Sequence, residues 1–445
     1  MMIWSILKMA AVLPINPIFE VFSRRCGVSE MTDVGMAIAC FFVSMFSCSF
    51  CGENLAGCVE LKSCGSNINV RVVVSEMADS VLDNVSKIKG IDTKGMLSFC
   101  VDVAEHYGRA LEAAGRVSLG FSVPENVVVA GMGGSAIGGE LLKDLVRADA
   151  AVPVEVSRAY SLPGYVDERS LVFVVSYSGE TEETLSSFLD AVKGKCMVFC
   201  VSSGGRLLEF AERLGVPFLR VPSGFPPRAA LPYLFAPLVV LSERLGVVSG
   251  VFRGFSEAMS VLERVSGECA PEVPVSNNAA KSLAVGVNGS VPVVYGFGVF
   301  RGVAQRFKTQ FNENAKVPSK WEYFSEVDHN EVVGWERAGS LAECFSSIFI
   351  RDKAEPPEFR NRIEITKGLM PSGSKSFEVW GQGEGVLARM LSAVCIGDFT
   401  SVYLALLRGV DPTPVETISL LKARMQRSGT KEKDVRELEK LADSH

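Results

Sequence analysis

Beyond residue 76 the chain shows two alternating hydrophobic periods. Val103, Ala104, Tyr107, Ala110, Leu111 and Ala114 recur at helical spacing, so a helical lead-in is expected over residues 77–115. Short, mostly apolar runs then alternate with amphipathic stretches. The runs 127–130, 152–156, 171–175, 196–201 and 217–220 read as strands, and 138–146, 181–192 and 207–214 as the helices between them. Strands apolar on both faces belong to a parallel sheet covered by helices, so the expected fold class is α/β and doubly wound. A proline-rich passage at 222–237, a further helical stretch and a soft joint at 267–274 follow. The pattern restarts at 292–296 with a helix through Phe311, then strands at 346–350, 362–365 and 377–379. A helix from Pro414 to about Met425 and a charged tail close the chain. The reading is two tandem parallel-sheet modules, 77–266 with the lead-in and 267–445 with the C-terminal helix.

Residues 1–76 do not share this pattern. They hold an apolar stretch at 36–50, shorter than the ~20 residues a membrane-spanning helix needs, and the nearest basic pair is Arg24-Arg25. Three readings compete: an upstream extension with Met77 as the true start, a poorly ordered extension, or a membrane or export signal. Six of the 12 cysteines precede residue 65. The scattered remainder (Cys100, Cys196, Cys200, Cys269, Cys344, Cys395) reads as small buried thiols of a cytoplasmic protein.

With 445 residues, 48% of them apolar, the chain has ample core for several domains. A net charge of −6 argues against a nucleic-acid partner, which demands a basic face. Only three histidines are present, His106, His329 and His445, so no metal is expected and a zinc enzyme is disfavoured.

Two loops carry the candidate chemistry. Gly131-Met132-Gly133-Gly134-Ser135-Ala136-Ile137-Gly138-Gly139 follows the first strand, and Ser176-Tyr177-Ser178-Gly179-Glu180-Thr181-Glu182-Glu183-Thr184 follows the third. Each joins a strand to a helix start, where backbone N–H groups and hydroxyls converge on an anion. Gly133, Gly134, Ser135, Ser176, Ser178 and Thr181 are therefore expected to bind one phosphate. The rival is a dinucleotide: Gly131, Gly133 and Ala136 fit that fingerprint, and Glu155 lies 24 positions on from Gly131. The blander reading is that these hydroxyls merely cap helices.

At these residues the chain resembles the sugar-isomerase (SIS) superfamily, and more narrowly the bifunctional phosphoglucose/phosphomannose isomerases of archaea. Further matches are Pro227-Arg228-Ala229-Ala230-Leu231, Asn312-Glu313-Asn314-Ala315-Lys316, Asp328-His329-Asn330-Glu331-Val332-Val333-Gly334-Trp335 and Asp411-Pro412-Thr413-Pro414-Val415-Glu416. The resemblance runs from about Met77 to the last helix. Departures are Glu180, where the family often has Asn, Pro232, and the approach Ser325-Glu326-Val327-Asp328. The fold implied is two flavodoxin-like SIS modules. The activity implied is an intramolecular oxidoreductase without cofactor, which interconverts glucose 6-phosphate and mannose 6-phosphate with fructose 6-phosphate. It also implies a cytoplasmic homodimer with the site at its interface, the histidine coming from the partner subunit, and no membrane association.

Aldose–ketose isomerisation moves a proton between C1 and C2 through an enediol. It needs a base, a ring-opening group, a cation for the enediolate and a phosphate anchor. Given the resemblance, Glu313 is the expected base and His329 the ring-opening acid/base, its imidazole titrating near neutrality. Arg228 is the expected enediolate-facing cation and Lys422 a second polar contact. Taken alone, Glu313 reads as a solvated helix-end carboxylate, Arg228 and Lys422 as surface residues, and His329 as a loop cap. Thr413 and Thr417 receive no role. A non-catalytic sugar-phosphate-binding SIS protein and a dinucleotide-dependent enzyme stay open as alternatives.

Overall fold

The structure is a computed structural model that describes residues 63–64, 67–68, 81–371, 373–425, 427 and 429–444. The apolar stretch at 36–50, Met77 and His445 lie outside the described residues, as does the origin of the segment before Met77. Strands β1 (Ser63–Cys64) and β2 (Asn67–Ile68) pair antiparallel. They fall in a unit separate from the one spanning Val74–His445.

The lead-in is three helices: α1 (Val85–Ile91), α2 (Met96–Val101) and α3 (Val103–Gly115). Asp92 makes the first break, because its carboxylate accepts the backbone N–H groups of Met96 and Leu97 at 2.7 and 2.8 Å and so caps α2.

The first module runs β3 (Asn126–Gly131), α4 (Ile137–Val146), β4 (Val154–Ser157), β5 (Ser170–Val175), α5 (Glu182–Lys193), β6 (Met197–Ser202), α6 (Gly205–Arg213) and β7 (Phe218–Arg220). Its five strands are all parallel in the order β4-β3-β5-β6-β7. Helix α7 (Leu231–Arg244) starts inside the proline-rich passage, with Pro232 in its first turn, where a missing N–H costs nothing, and Pro237 within it. Helices α8 (Gly254–Glu268) and α9 (Ala279–Val287) lead onward.

The second module runs β8 (Val291–Phe297), α10 (Arg301–Gln310), β9 (Lys320–Phe324), α11 (Glu331–Gly334), β10 (Phe345–Arg351), α12 (Pro357–Leu369) and β11 (Lys375–Trp380). Its strands are also parallel, in the order β11-β10-β8-β9. Both sheets thus place their first strand between the second and the third, the doubly wound arrangement expected.

Several expectations need correction. Residues 362–365 belong to α12, where Ile363 is buried and Ile365 is 62% exposed. A four-residue alternation cannot distinguish period 2 from period 3.6. Strand β9 and helix α13 (Val386–Leu407) went unforeseen. Helix α13 is apolar on every face, with 18 of its residues buried, so it carries no periodic signal. Among the described residues it is the one helix long and apolar enough to cross a membrane, and 89% of its most apolar window is buried inside the protein. The chain ends in α14 (Glu416–Met425) and, in place of a charged tail, α15 (Thr430–Asp443), whose Val435 and Leu438 join the core of the first module. Of the six scattered cysteines, Cys344 is exposed.

The modules repeat one another in detail. Gly133 and Gly298 follow the first strand of each, in left-handed conformations of φ 51° and 49° that favour glycine, and each opens a 3₁₀ turn. Two residues on, the first module has Ser135 and the second has Phe300, fully buried. After β5 comes Ser176. At the matching position β10 ends on Arg351, a buried guanidinium paired with the buried Glu355.

Candidate active site

The two loops of the first module meet through side chains. Ser135 Oγ accepts the backbone N–H of Tyr177 at 3.1 Å, which leaves its own proton to donate. Ser176 Oγ donates to Thr181 Oγ1 at 3.0 Å, and Ser178 Oγ accepts the N–H of Glu180 at 3.2 Å. Thr181 occupies the N-cap of α5 without capping it through its side chain. Ser135 Oγ ties the first loop to the second and Thr181 Oγ1 accepts within the second, and neither caps a helix, against the blander reading. Glu155, the dinucleotide rival's acidic residue, is exposed and accepts the phenol of Tyr165 at 2.6 Å.

The first loop abuts the turn that carries Arg228. A Cβ on Gly134 would stand 3.0 Å from Pro227 C and Arg228 N, so only glycine lets the two backbones approach. Arg228 is 2% exposed. Its Nε donates to Asn314 Oδ1 at 2.5 Å, and Nη2 donates to the carbonyls of Pro412 and Thr413 at 2.7 and 2.9 Å. Nη1 is left facing Glu313, 3.5 Å from its Oε2. Burial lowers the pKa of the guanidinium from its ordinary value, and the Glu313 carboxylate opposes that shift.

Glu313 lies in a π-helical turn, Phe311–Ala315, that extends α10. One extra residue per turn re-aims side chains, and such bulges recur at functional sites. Lys316 ends the turn in a left-handed conformation, φ 55°. Its Nζ donates to the carbonyls of Glu313 and Pro412 at 2.6 and 3.0 Å, so Pro412 O receives both Lys316 and Arg228. Burial and nearby Arg228 lower the pKa of the ammonium, while Asp411 and Glu313 oppose the shift.

Behind these residues a buried network fixes the turn. Arg306 donates to both oxygens of Asp398 on α13, at 2.9 and 2.7 Å, and to the carbonyl of Arg228 at 3.0 Å. Asn314 Nδ2 donates to Ser401 Oγ at 2.9 Å. The Thr413 hydroxyl is buried and has no partner among the described residues.

The structure therefore gathers Gly134, Arg228, Glu313, Asn314 and Thr413, and ties Ser135 to the loop of Ser176, Ser178 and Thr181. It does not bring His329 or Lys422 to them within one chain. His329 is exposed on the 3₁₀ turn Glu326–His329, and Lys422 is exposed on α14. Neither makes a hydrogen bond or ion pair to Arg228 or Glu313 among the described residues. Asp328, beside His329, is held by Arg362 and Thr366 of α12, each at 2.9 Å. Sequence reasoning missed Arg306, Asp398 and Ser401, which carry no local motif. Asn314 and Lys316 stood inside a quoted motif without a role. Among the described residues no group of three or more His, Cys, Asp or Glu is placed to hold a metal ion.

Residues 276–425 match the family model of the bacterial phospho-glucose isomerase C-terminal SIS domain. A bifunctional phosphoglucose/phosphomannose isomerase of Caldicellulosiruptor bescii is 38% identical over 334 residues, covering 74% of this chain and 98% of that protein. A D-glucosamine-6-phosphate 4-epimerase of Sulfolobus acidocaldarius is 34% identical over 226 residues, 50% of this chain and 67% of that protein. Among solved structures, the C-terminal domain of glucosamine-fructose-6-phosphate aminotransferase from Francisella tularensis superposes with a TM-score of 0.56 at 14% identity. It covers 72% of this chain and 98% of that one, a likeness of fold. On the extent of its match to the Caldicellulosiruptor protein, the chain belongs to the bifunctional phosphoglucose/phosphomannose isomerase family.

Proposed function

We propose that the protein interconverts glucose 6-phosphate and mannose 6-phosphate with fructose 6-phosphate through an enediol. The observation that carries this reading is the pairing of Arg228 with Glu313 beside Gly134 of the hydroxyl-rich loops. Gly133, Gly134, Ser135, Ser176, Ser178 and Thr181 hold the 6-phosphate. Glu313 takes the proton from C2 of the open-chain aldose and returns it to C1. Arg228 Nη1, the one guanidinium nitrogen without a tight backbone or amide partner, faces the enediolate oxygen and costs no reorganisation because the rest of the side chain is already bound. The buried Thr413 hydroxyl, in the residue whose carbonyl accepts from Arg228 Nη2, is a further donor beside that guanidinium. The enediol erases the C2 difference between the two aldoses, so one base serves both.

His329 acts as ring-opening acid/base from the partner subunit of a homodimer, with Lys422 as a further polar contact. Support comes from their exposure and from the apolar residues beside them: Val333 near His329, and Ile418, Leu421 and Met425 along the face of α14. The division is functional as well. Residues 77–266 supply the phosphate socket and Arg228, 267–445 supply the base, and 1–76 are not needed for either. The enzyme works in the cytoplasm without cofactor, metal, nucleic acid or membrane.

The test is a coupled assay of fructose 6-phosphate formation from each aldose with EDTA present. Turnover of both, lost in Glu313→Gln with phosphosugar binding kept, is expected. Binding without turnover in the parent protein would leave a sugar-phosphate-binding protein. A C4 epimer formed from glucosamine 6-phosphate would replace the isomerase reading with that of the Sulfolobus relative.

A further inference from the structure

Glu180 puts a carboxylate into the very loop assigned to a phosphate dianion. Two unlike groups hold it. Its Oε1 accepts the backbone N–H of Arg206 at 2.9 Å, in the first turn of α6, a helix end that favours an anion. Its Oε2 is ion-paired with Lys431 in the first turn of α15, a lysine whose side chain is only 12% exposed. Arg206 Nε stands farther off, at 4.0 Å. Burial pushes the Glu180 carboxyl up, but Lys431 and the Arg206 N–H outweigh it and leave it below its ordinary value. It is therefore ionised while substrate binds. The rest of α15 is docked on the first module by Val435 and Leu438, by Lys193 with Glu437, and by Arg213 with Asp443 at 2.7 Å.

An unneutralised carboxylate in the loop that receives a dianion repels it, and because the Glu180 side chain is 43% exposed the effect is screened by salt. We propose that Lys431 is a positioning residue for substrate binding: from the C-terminal helix it neutralises Glu180 and so keeps the second phosphate loop receptive to a dianion. The proposal rests on the reading of that loop as the phosphate socket. It makes the last helix, which the sequence presents as a charged tail, part of what sets affinity in the first module.

The experiment compares KM for glucose 6-phosphate and the inhibition constant of inorganic phosphate across Lys431→Met, Glu180→Gln, the double variant and Ser178→Ala. Glutamine keeps the acceptor for Arg206 N–H and drops the charge. Lys431→Met is expected to raise both constants about three- to tenfold at low salt, less at high salt, with kcat retained. The double variant is expected to return them close to the parent values, since no uncompensated carboxylate is left. A helix staple with no electrostatic role would show no such rescue, and that result overturns the proposal. So does an unchanged KM in Lys431→Met while Ser178→Ala raises it. If Ser178→Ala also leaves KM unchanged, the socket reading falls, and this proposal with it. Should Lys431→Met fail to fold, Glu180→Gln alone decides: the unpaired ammonium then lowers KM, and a rise counts against the idea.

Discussion

Asp144 shows how one side chain ties stability to pH. It is buried on α4, and its Oδ2 accepts the N–H of Gly302 at 2.6 Å, capping α10 of the other module. Burial lifts its carboxyl from 3.8 to about 6, against the pull of the Gly302 N–H. The folded state therefore binds the proton more tightly than the unfolded chain. That contribution is full below the unfolded value and is lost as pH rises through about 6, a swing of roughly 3 kcal/mol. Asp144→Asn keeps the acceptor and removes the ionisation. It is expected to match the parent at pH 4 and to exceed it in stability by about 1–3 kcal/mol at pH 8, read by chemical denaturation at both pH values. A parent whose stability is flat between pH 4 and 8 would refute the assignment. Arg228 and Asn314 make a second case. Asn314→Leu strands a buried guanidinium N–H and is expected to cost about 1–3 kcal/mol. It should also lower kcat more than it raises KM, because the phosphate loops are untouched.

Elements were legible in proportion to how far their periodicity survives burial. The central strands of the first sheet, β3, β5 and β6, each hold an unbroken apolar run, and the amphipathic α5 alternates with them, so pattern and structure agree there. Strand β9, with Trp321 and Tyr323 half-buried and Lys320 exposed at the sheet edge, lacks such a run. Helix α13 has the opposite difficulty, since every face is covered. The active-site loops were readable because glycine and hydroxyl residues cluster locally. The Arg306–Asp398 pair was not, because its partners are 92 positions apart. Packing on α13 yields an element-level prediction. A Cβ on Gly397 would lie 2.2–2.5 Å from atoms of the Phe307 ring on α10. Alanine is the better helix former by about 1 kcal/mol, yet the overlap in a filled core costs about 1–3 kcal/mol. Gly397→Ala is expected to lower the melting temperature, and Gly397→Ala with Phe307→Leu to recover most of it.

At the scale of the whole molecule the proposed exchange of His329 between subunits has an arithmetic signature. Glu313→Gln and His329→Ala chains should each be inactive. Randomly assorted, half the dimers are mixed, and each of those has one site with both groups intact. Coexpression is thus expected to restore about a quarter of the parent activity, whereas a site completed within one chain would restore none. The duplicated modules carry a different implication for the phosphate. Phe300 and the Arg351–Glu355 pair occupy the second module where the first has hydroxyls, so calorimetry should count one phosphosugar per chain. Helix α13 bears on how the protein is made. It packs against α2, α8, α9, α10 and the π-helical turn of Glu313, and it lies near the end of the chain. Until residue 407 has left the ribosome, the faces those elements turn toward α13 stay uncovered. The first sheet can assemble early during synthesis, but the half that carries the base must wait. A nascent chain stalled before Val386 should be a strong client for chaperones, and release of the last sixty residues should end that dependence.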